Sequence, residues 1–140
     1  MITENKKANR AGLVCFNLAG QVLLVSAMST QKQWVFPKGH IEADEEPFQT
    51  AERECREECG IIASTVGPPI GQTTFKYNDE EVIIEWFSGL ASGLVDRGED
   101  SKYAEYDWRT PRWFHWNKAL EELAFHDMKE ILKKALCFRS

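Results

Sequence analysis

Residues 11–17 (AGLVCFN) are almost wholly apolar, Leu18-Ala19-Gly20 carries a turn, and Gln21–Ser26 (QVLLVS) is apolar again. Short β-prone runs on either side of turn residues predict a hairpin. Trp34-Val35-Phe36 reads as a further extended segment closed by Pro37, and Lys38 to Asp44 as a loop. The period then changes. Phe48, Ala51, Cys55 and Cys59 recur at spacings of 3, 4 and 4, which draws a narrow apolar stripe along one helix face. Pro47 suits a first turn and Gly60 the position after a last one. A helix is therefore predicted from about Glu46 to Cys59.

Pro68 and Pro69 interrupt the chain after Ile61–Val66. Gln72–Tyr77 (QTTFKY) and Glu81–Leu90 (EVIIEWFSGL) are predicted as the arms of a second hairpin around Asn78-Asp79-Glu80. Residues 92–107 are polar and read as a loop over a pocket. Pro111–Trp116 (PRWFHW) is a last strand, and Asn117 is placed as the N-cap of a helical tail. The tail's stripe is Leu120, Leu123, Ala124, Met128, Ile131, Leu132 and Ala135, with a break near Ala124–Asp127. Mostly strands, one internal helix and one C-terminal helix predict a mixed α/β (α+β) fold with helices packed on sheets.

Composition narrows the function classes. A chain of 140 residues reads as one domain, 1–140, and 43% hydrophobic with 28% charged residues is ordinary for a globular protein. The net charge of −5 disfavours a stable partnership with duplex nucleic acid. A polyphosphate remains an acceptable ligand if a divalent metal supplies positive charge. No apolar run is long enough to span a membrane and the N-terminal stretch MITENKKANRAG has no apolar signal region. Cys15, Cys55, Cys59 and Cys137 show no CxxC or zinc spacing, which suits reduced thiols in the cytoplasm.

The internal helix holds the candidate chemistry. Glu45, Glu46, Glu52, Glu54, Glu57 and Glu58 crowd into a short span, although like charges at i,i+4 repel. The bland explanation is a solvated, salt-bridged face, since Arg53 and Arg56 lie among them. The sharper one is a cation site. Glu54, Glu57 and Glu58 fall on one side of the helix, and Arg53 can hold Glu57 from four residues away. Clustered hard oxygens suit Mg²⁺, or Mn²⁺ in its place, rather than zinc. A backbone carbonyl near Gly39 can add to the set.

The full spacing decides between them. Gly39, five residues, Glu45, seven residues, then Arg53-Glu54-Cys55-Arg56-Glu57-Glu58-Cys59-Gly60-Ile61 resembles the Nudix box, GX5EX7REUXEEXGU, with U a bulky apolar residue. Cys55, small for its U position, is the one departure. The resemblance implies the Nudix fold, a mixed β-sheet sandwiched between helices. It also implies a hydrolase acting on a nucleoside diphosphate linked to another moiety. It makes Glu57 and Glu58 the main metal ligands, and Glu54 a ligand or the base for water. Lys38 or Gly39 would give a backbone oxygen, Arg53 would orient the glutamates, and Glu45 would stabilise the loop–helix junction.

Flanking residues bear on the substrate. WVFPKGHIE (Trp34–Glu42) and RWFHWNKALEELAFHDMKEILKKA (Arg112–Ala135) resemble the corresponding stretches of animal-type diadenosine tetraphosphate hydrolases. That subfamily implies a further acidic ligand before the final strand, at Glu105 or Asp107. Lys38, Lys76 and Tyr77 are candidates to contact the polyphosphate. Trp34, Phe75, Trp86 and Tyr103 are candidates to stack on a base, each weighed against burial in a strand. His40, His115 and His126 read as ordinary loop, strand and helix residues. The resemblance implies a nucleoside polyphosphate as small-molecule substrate, cleaved asymmetrically, diadenosine tetraphosphate giving ATP and AMP. Removal of pyrophosphate from RNA 5′ ends, (d)NTP cleavage and nucleotide-sugar hydrolysis share the chemistry. A retired domain that only senses a nucleotide is the reading from another class.

Overall fold

The computed structural model describes residues 6–26, 33–95 and 110–139. One long strand organises them. β7 (Glu80–Leu94) follows β1 (Arg10–Phe16), β2 (Val22–Ser26), β3 (Trp34–Val35), β4 (Lys38–His40), helix α1 (Pro47–Cys59), β5 (Ile61–Thr65) and β6 (Gly71–Tyr77). β8 (Pro111–Phe114), α2 (Trp116–Glu122) and α3 (His126–Arg139) complete the order. β7 pairs antiparallel with β6, parallel with β1, and antiparallel with β5 across a register shift at Ile62/Ala63. β1 also takes β4 on its first residues and β2 at its last. β2 carries β3 and β8.

Alternation along the central strands builds two cores, one on each face of the sheet. Ala11, Leu13 and Cys15 of β1 join Leu23, Val25 and Phe87 under the α1 residues Ala51, Cys55 and Cys59. Val14 and Phe16 join Leu24, Ile84 and Trp86 under Ala119, Ile131 and Leu132 of α2 and α3. This is the helix–sheet–helix layering expected of the fold. Gly12 is needed at the centre: a Cβ there would run into the Trp86 ring. That indole is fully buried and its Nε1–H donates to Thr73 Oγ1 at 2.9 Å.

Several elements differ from expectation. Lys38–His40 is a strand rather than a loop, because Arg10, Ala11 and Gly12 pair with it and Leu13 N–H donates to the Pro37 carbonyl at 3.1 Å. The first hairpin is a single pair, Phe16↔Val22, after which its strands diverge to other partners. The second is as predicted but tighter. Its turn is Asn78-Asp79 alone, with φ of 50° and 65°, the two positive values a type I′ turn requires. Asn117 is not the N-cap of α2. His115 is, and the Asn117 side chain lies inside the first turn against the His115 ring. Among the described residues no helix is long and apolar enough to cross a membrane.

Candidate active site

α1 is fixed at both ends. Gln49 Oε1 accepts the N-cap Glu46 amide at 2.9 Å. Gly60, at φ 70°, closes the last turn through Arg56 O at 2.9 Å. Burying Ala51 and Cys55 against β1 turns the other flank of the helix toward β4.

The glutamates then divide by task. Glu52 ties α1 to β5, accepting from Thr65 N at 2.8 Å and Thr65 Oγ1 at 3.0 Å. Glu45 braces the loop: it accepts from Glu42 N at 3.1 Å, Thr50 Oγ1 at 2.5 Å and both Nε and Nη2 of Arg53 at 2.6 and 3.1 Å. The Arg53 guanidinium, aided by Thr50 and the Glu42 amide against the opposing effect of burial, holds this carboxyl at about 2. Arg53 is the hub. Its Nη2 donates to the His40 carbonyl at 2.9 Å, and its Nη1 reaches Glu54 Oε1 at 2.7 Å and Glu57 Oε2 at 3.0 Å. Its carboxylate partners raise its own pKa further. Glu54 differs from Glu45. Burial raises its pKa, Arg53 opposes that, and Glu57 adds to it. Glu58 Oε2 accepts the Lys38 amide at 2.8 Å, joining helix to strand.

Gly39 is where β4 and α1 come closest. A Cβ there would overlap the Glu54 carboxyl group, so glycine leaves that carboxylate its place beside the strand. Among the described residues no three acidic, histidine or cysteine side chains converge tightly enough to enclose an ion. Glu54 and Glu57 instead meet at Arg53 Nη1. The donor set still fits a hard cation of the Mg²⁺ kind, which needs one or two carboxylates and takes its remaining oxygens from water and substrate phosphates. Among the described residues each cleft offers one imidazole, His40 or His126, and no thiol, too few for a soft or imidazole-seeking metal.

Two clefts adjoin. One, of about 320 Å³, is walled by Arg10, Lys38, Gly39, Arg53 and Glu54. The other, of about 400 Å³, is walled by Lys38, Phe75, Ile84, Phe125, His126 and Met128. Lys38 belongs to both. Phe75 and Phe125 are respectively 44% and 49% exposed, so their rings are available to a ligand.

The remaining candidates are dispersed. Lys76 and Tyr77 sit at the exposed tip of the β6–β7 hairpin, opposite Glu81 and Glu80. Trp34 packs edge-on to Phe114 at 5.1 Å with the Arg112 guanidinium 5.3 Å from its ring centre, away from both clefts. Trp86 is core. Tyr103, Glu105 and Asp107 lie outside the described residues. Phe125, His126 and Asp127 were not foreseen in the cleft wall, though the interruption in the helical stripe at that point marks where such residues can face a ligand. Arg10 had no local signal.

The NUDIX domain family matches residues 6–135. Over 129 residues the chain is 29% identical to the asymmetrical bis(5′-nucleosyl)-tetraphosphatase of Sus scrofa, covering 84% of this chain and 80% of that protein. It is 43% identical over 119 residues to diphosphoinositol polyphosphate phosphohydrolase 2 of Rattus norvegicus, covering 84% of this chain but 63% of that protein. A crystal structure of a C. elegans Ap4A hydrolase in a binary complex superposes with a TM-score of 0.73 at 21% identity, covering 95% of this chain and 98% of that one. A match of that extent, on a chain whose Arg53 and glutamates are assembled by the box residues themselves, leaves one conclusion: the chain belongs to the Nudix hydrolases, enzymes that act on phosphoanhydride bonds.

Proposed function

We propose that this chain is a Mg²⁺-dependent hydrolase of dinucleoside polyphosphates, acting as a single Nudix domain in the cytoplasm and cleaving diadenosine tetraphosphate asymmetrically to ATP and AMP. The observation that carries the reading is the pair of clefts sharing Lys38: one lined by carboxylates, the other by two exposed aromatic rings. A phosphate chain fits the first and a base the second. The relatives divide on this point. The Sus scrofa protein is named for nucleosyl tetraphosphates and the Rattus norvegicus protein for diphosphoinositol polyphosphates. Both names share the polyphosphate, and the paired rings of Phe75 and Phe125 favour the ligand that has a base. The buried thiols of Cys15, Cys55 and Cys59 suit a reducing compartment.

Glu57 and Glu58 would hold the metal, with Glu54 and a main-chain oxygen of Lys38 or Gly39 completing its protein contacts. The ion, once bound, supplies neutralisation of the pyrophosphate and of the departing phosphate. The chain's own groups do the rest. Arg53 sets the rotamers of Glu54 and Glu57 through Nη1. Water adds to phosphorus as the anhydride P–O bond breaks, and a carboxylate takes its proton. Glu54 suits that duty, because burial raises its pKa and a better base accepts a proton more readily. Lys38 and Phe75 would hold substrate across the two clefts.

The test is kcat/KM with Mg²⁺ across diadenosine tetraphosphate, 5′-triphosphate RNA, dNTPs, nucleotide sugars and a diphosphoinositol polyphosphate. Diadenosine tetraphosphate is expected to lead, and a place among the poorest substrates would overturn the reading. Glu57→Gln is expected to lower turnover by at least about a hundredfold with the melt retained. Unchanged turnover would refute the role of Glu57, and no hydrolysis of any substrate by the unaltered protein would favour a nucleotide sensor.

A further inference from the structure

We propose that Arg10 is a phosphate-binding residue that selects for long polyphosphate chains, gripping a phosphate between the carboxylate cleft and the aromatic cleft. The inference rests on the polyphosphate reading above and deepens it.

The first observation is a contrast between two arginines in one cleft. Arg53 is engaged by Glu45, Glu54 and Glu57 at 3.0 Å or less. Arg10 lines the same cleft and is half-buried. Among the described residues it has no ion pair, and its hydrogen bond is a long one, 3.4 Å from Nη1 to the Asn9 carbonyl. A guanidinium carries five N–H donors. One that is partly desolvated beside carboxylates, and yet unpaired with them, is set to receive an anion from outside.

The second observation is where the side chain emerges. A Cβ at Gly12 would meet the Trp86 ring and, at 3.0 Å, Lys38 Cβ. Gly12 therefore faces the α2/α3 side of the sheet, where Trp86 and Ile84 are buried. Arg10, two residues earlier on β1, faces the same side. It stands in register with Ile84 on β7 and with His40 on β4, two pairs from Gly12↔Lys38. Ile84 and Lys38 wall the aromatic cleft. Arg10 thus borders the carboxylate cleft while sharing a sheet face with the aromatic one. A phosphate chain leading from the glutamates to a base held by Phe75 and Phe125 passes Lys38 and Arg10.

The planar fork of arginine matches two phosphate oxygens at once. A two-phosphate substrate spends both phosphates at the scissile anhydride. A longer chain has phosphates to spare, and on a protein of net charge −5 those need a cation of their own. Arg10 supplies it.

The experiment compares wild type, Arg10→Ala and Arg10→Lys on diadenosine substrates with two, three, four and five phosphates. In Arg10→Ala the ratio of kcat/KM for four phosphates to that for two is expected to fall at least about tenfold, mostly through KM. Arg10→Lys restores part of it. Metal-free protein in EDTA is titrated separately with inorganic tripolyphosphate and pyrophosphate. Wild type is expected to prefer tripolyphosphate, and Arg10→Ala to lose that preference. An unchanged ratio, an equal loss at every chain length, or tripolyphosphate binding indifferent to Arg10 would each overturn the proposal. If wild type cleaved no dinucleoside polyphosphate, the functional reading would fall while the titration still judged Arg10. Should Arg10→Ala lose its cooperative melt, Arg10→Gln carries the same comparisons.

Discussion

Gly39→Ala adds one methyl group where β4 passes α1. The new Cβ would overlap the Glu54 carboxyl group and lie 2.8 Å from its Cγ. The obstacle is the end of a flexible side chain, so Glu54 swings aside rather than the backbone moving. What is lost is its 2.7 Å pair with Arg53 Nη1, in surroundings where the two side chains are only 16% and 15% exposed. A hydrogen bond between charged groups is worth about 1.5–3 kcal/mol, and partial rehydration of the freed carboxylate brings the expected cost to about 1–2 kcal/mol. The functional loss is larger, about a hundredfold in kcat/KM, because a carboxylate displaced by an ångström no longer meets the reacting atoms. Urea melts and steady-state kinetics measure the two separately. Glu54→Asp shortens the obstructing side chain. If overlap is the cause, the double variant Gly39→Ala/Glu54→Asp is more stable than the sum of the singles by at least about 0.5 kcal/mol. Gly71→Ala is the control: its Cβ would meet Lys134 Nζ at 3.4 Å and Ile131 Cδ1 at 3.8 Å, ordinary contact. Wild-type kinetics in Gly39→Ala, or a strictly additive cycle, would refute the reasoning.

Glu45→Gln should cost about 2 kcal/mol at neutral pH, since Arg53 loses its bidentate partner. The Glu45 carboxyl is held at about 2 against an ordinary 4.5. Its contribution is therefore complete above about pH 4.5 and fades as pH falls toward 2. Melts across that window should show wild type losing stability more steeply than Glu45→Gln, and parallel curves would contradict the assigned ion pair. Phe125→Ala should raise KM for diadenosine tetraphosphate by about tenfold with kcat little changed, on the scale of losing one stacked base. An unchanged KM would remove the base from the aromatic cleft.

Local chemistry made some of this legible and long-range pairing hid the rest. The limits of α1 could be read from Pro47 and Gly60, and the box spacing placed Arg53 among its glutamates. β4 was invisible because Lys-Gly-His has no strand-forming side chain. It is a strand only because Arg10 to Gly12 run beside it. β7 reaches 15 residues because three partners share it, which no periodicity within the strand can reveal. The parallel β1–β7 pair joins residues about seventy positions apart. The same separation concealed Arg10, whose role exists only once β1, β4 and β7 lie side by side. Trp34 shows the same limit: position beside the box could not tell which cleft it would join, and pairing of β2 with β3 and β8 sets it beside Phe114 and Arg112.

The central claim is that a dinucleoside polyphosphate is cut off-centre at the carboxylate cleft. Hydrolysing diadenosine tetraphosphate in ¹⁸O-water with Mg²⁺, and resolving products by mass spectrometry, tests it directly. The account predicts ATP and AMP in equal amounts, with one ¹⁸O from water incorporated per bond broken, and product formation by Glu57→Gln at no more than about a hundredth of the wild-type rate. Two ADP molecules, or intact substrate, would contradict it.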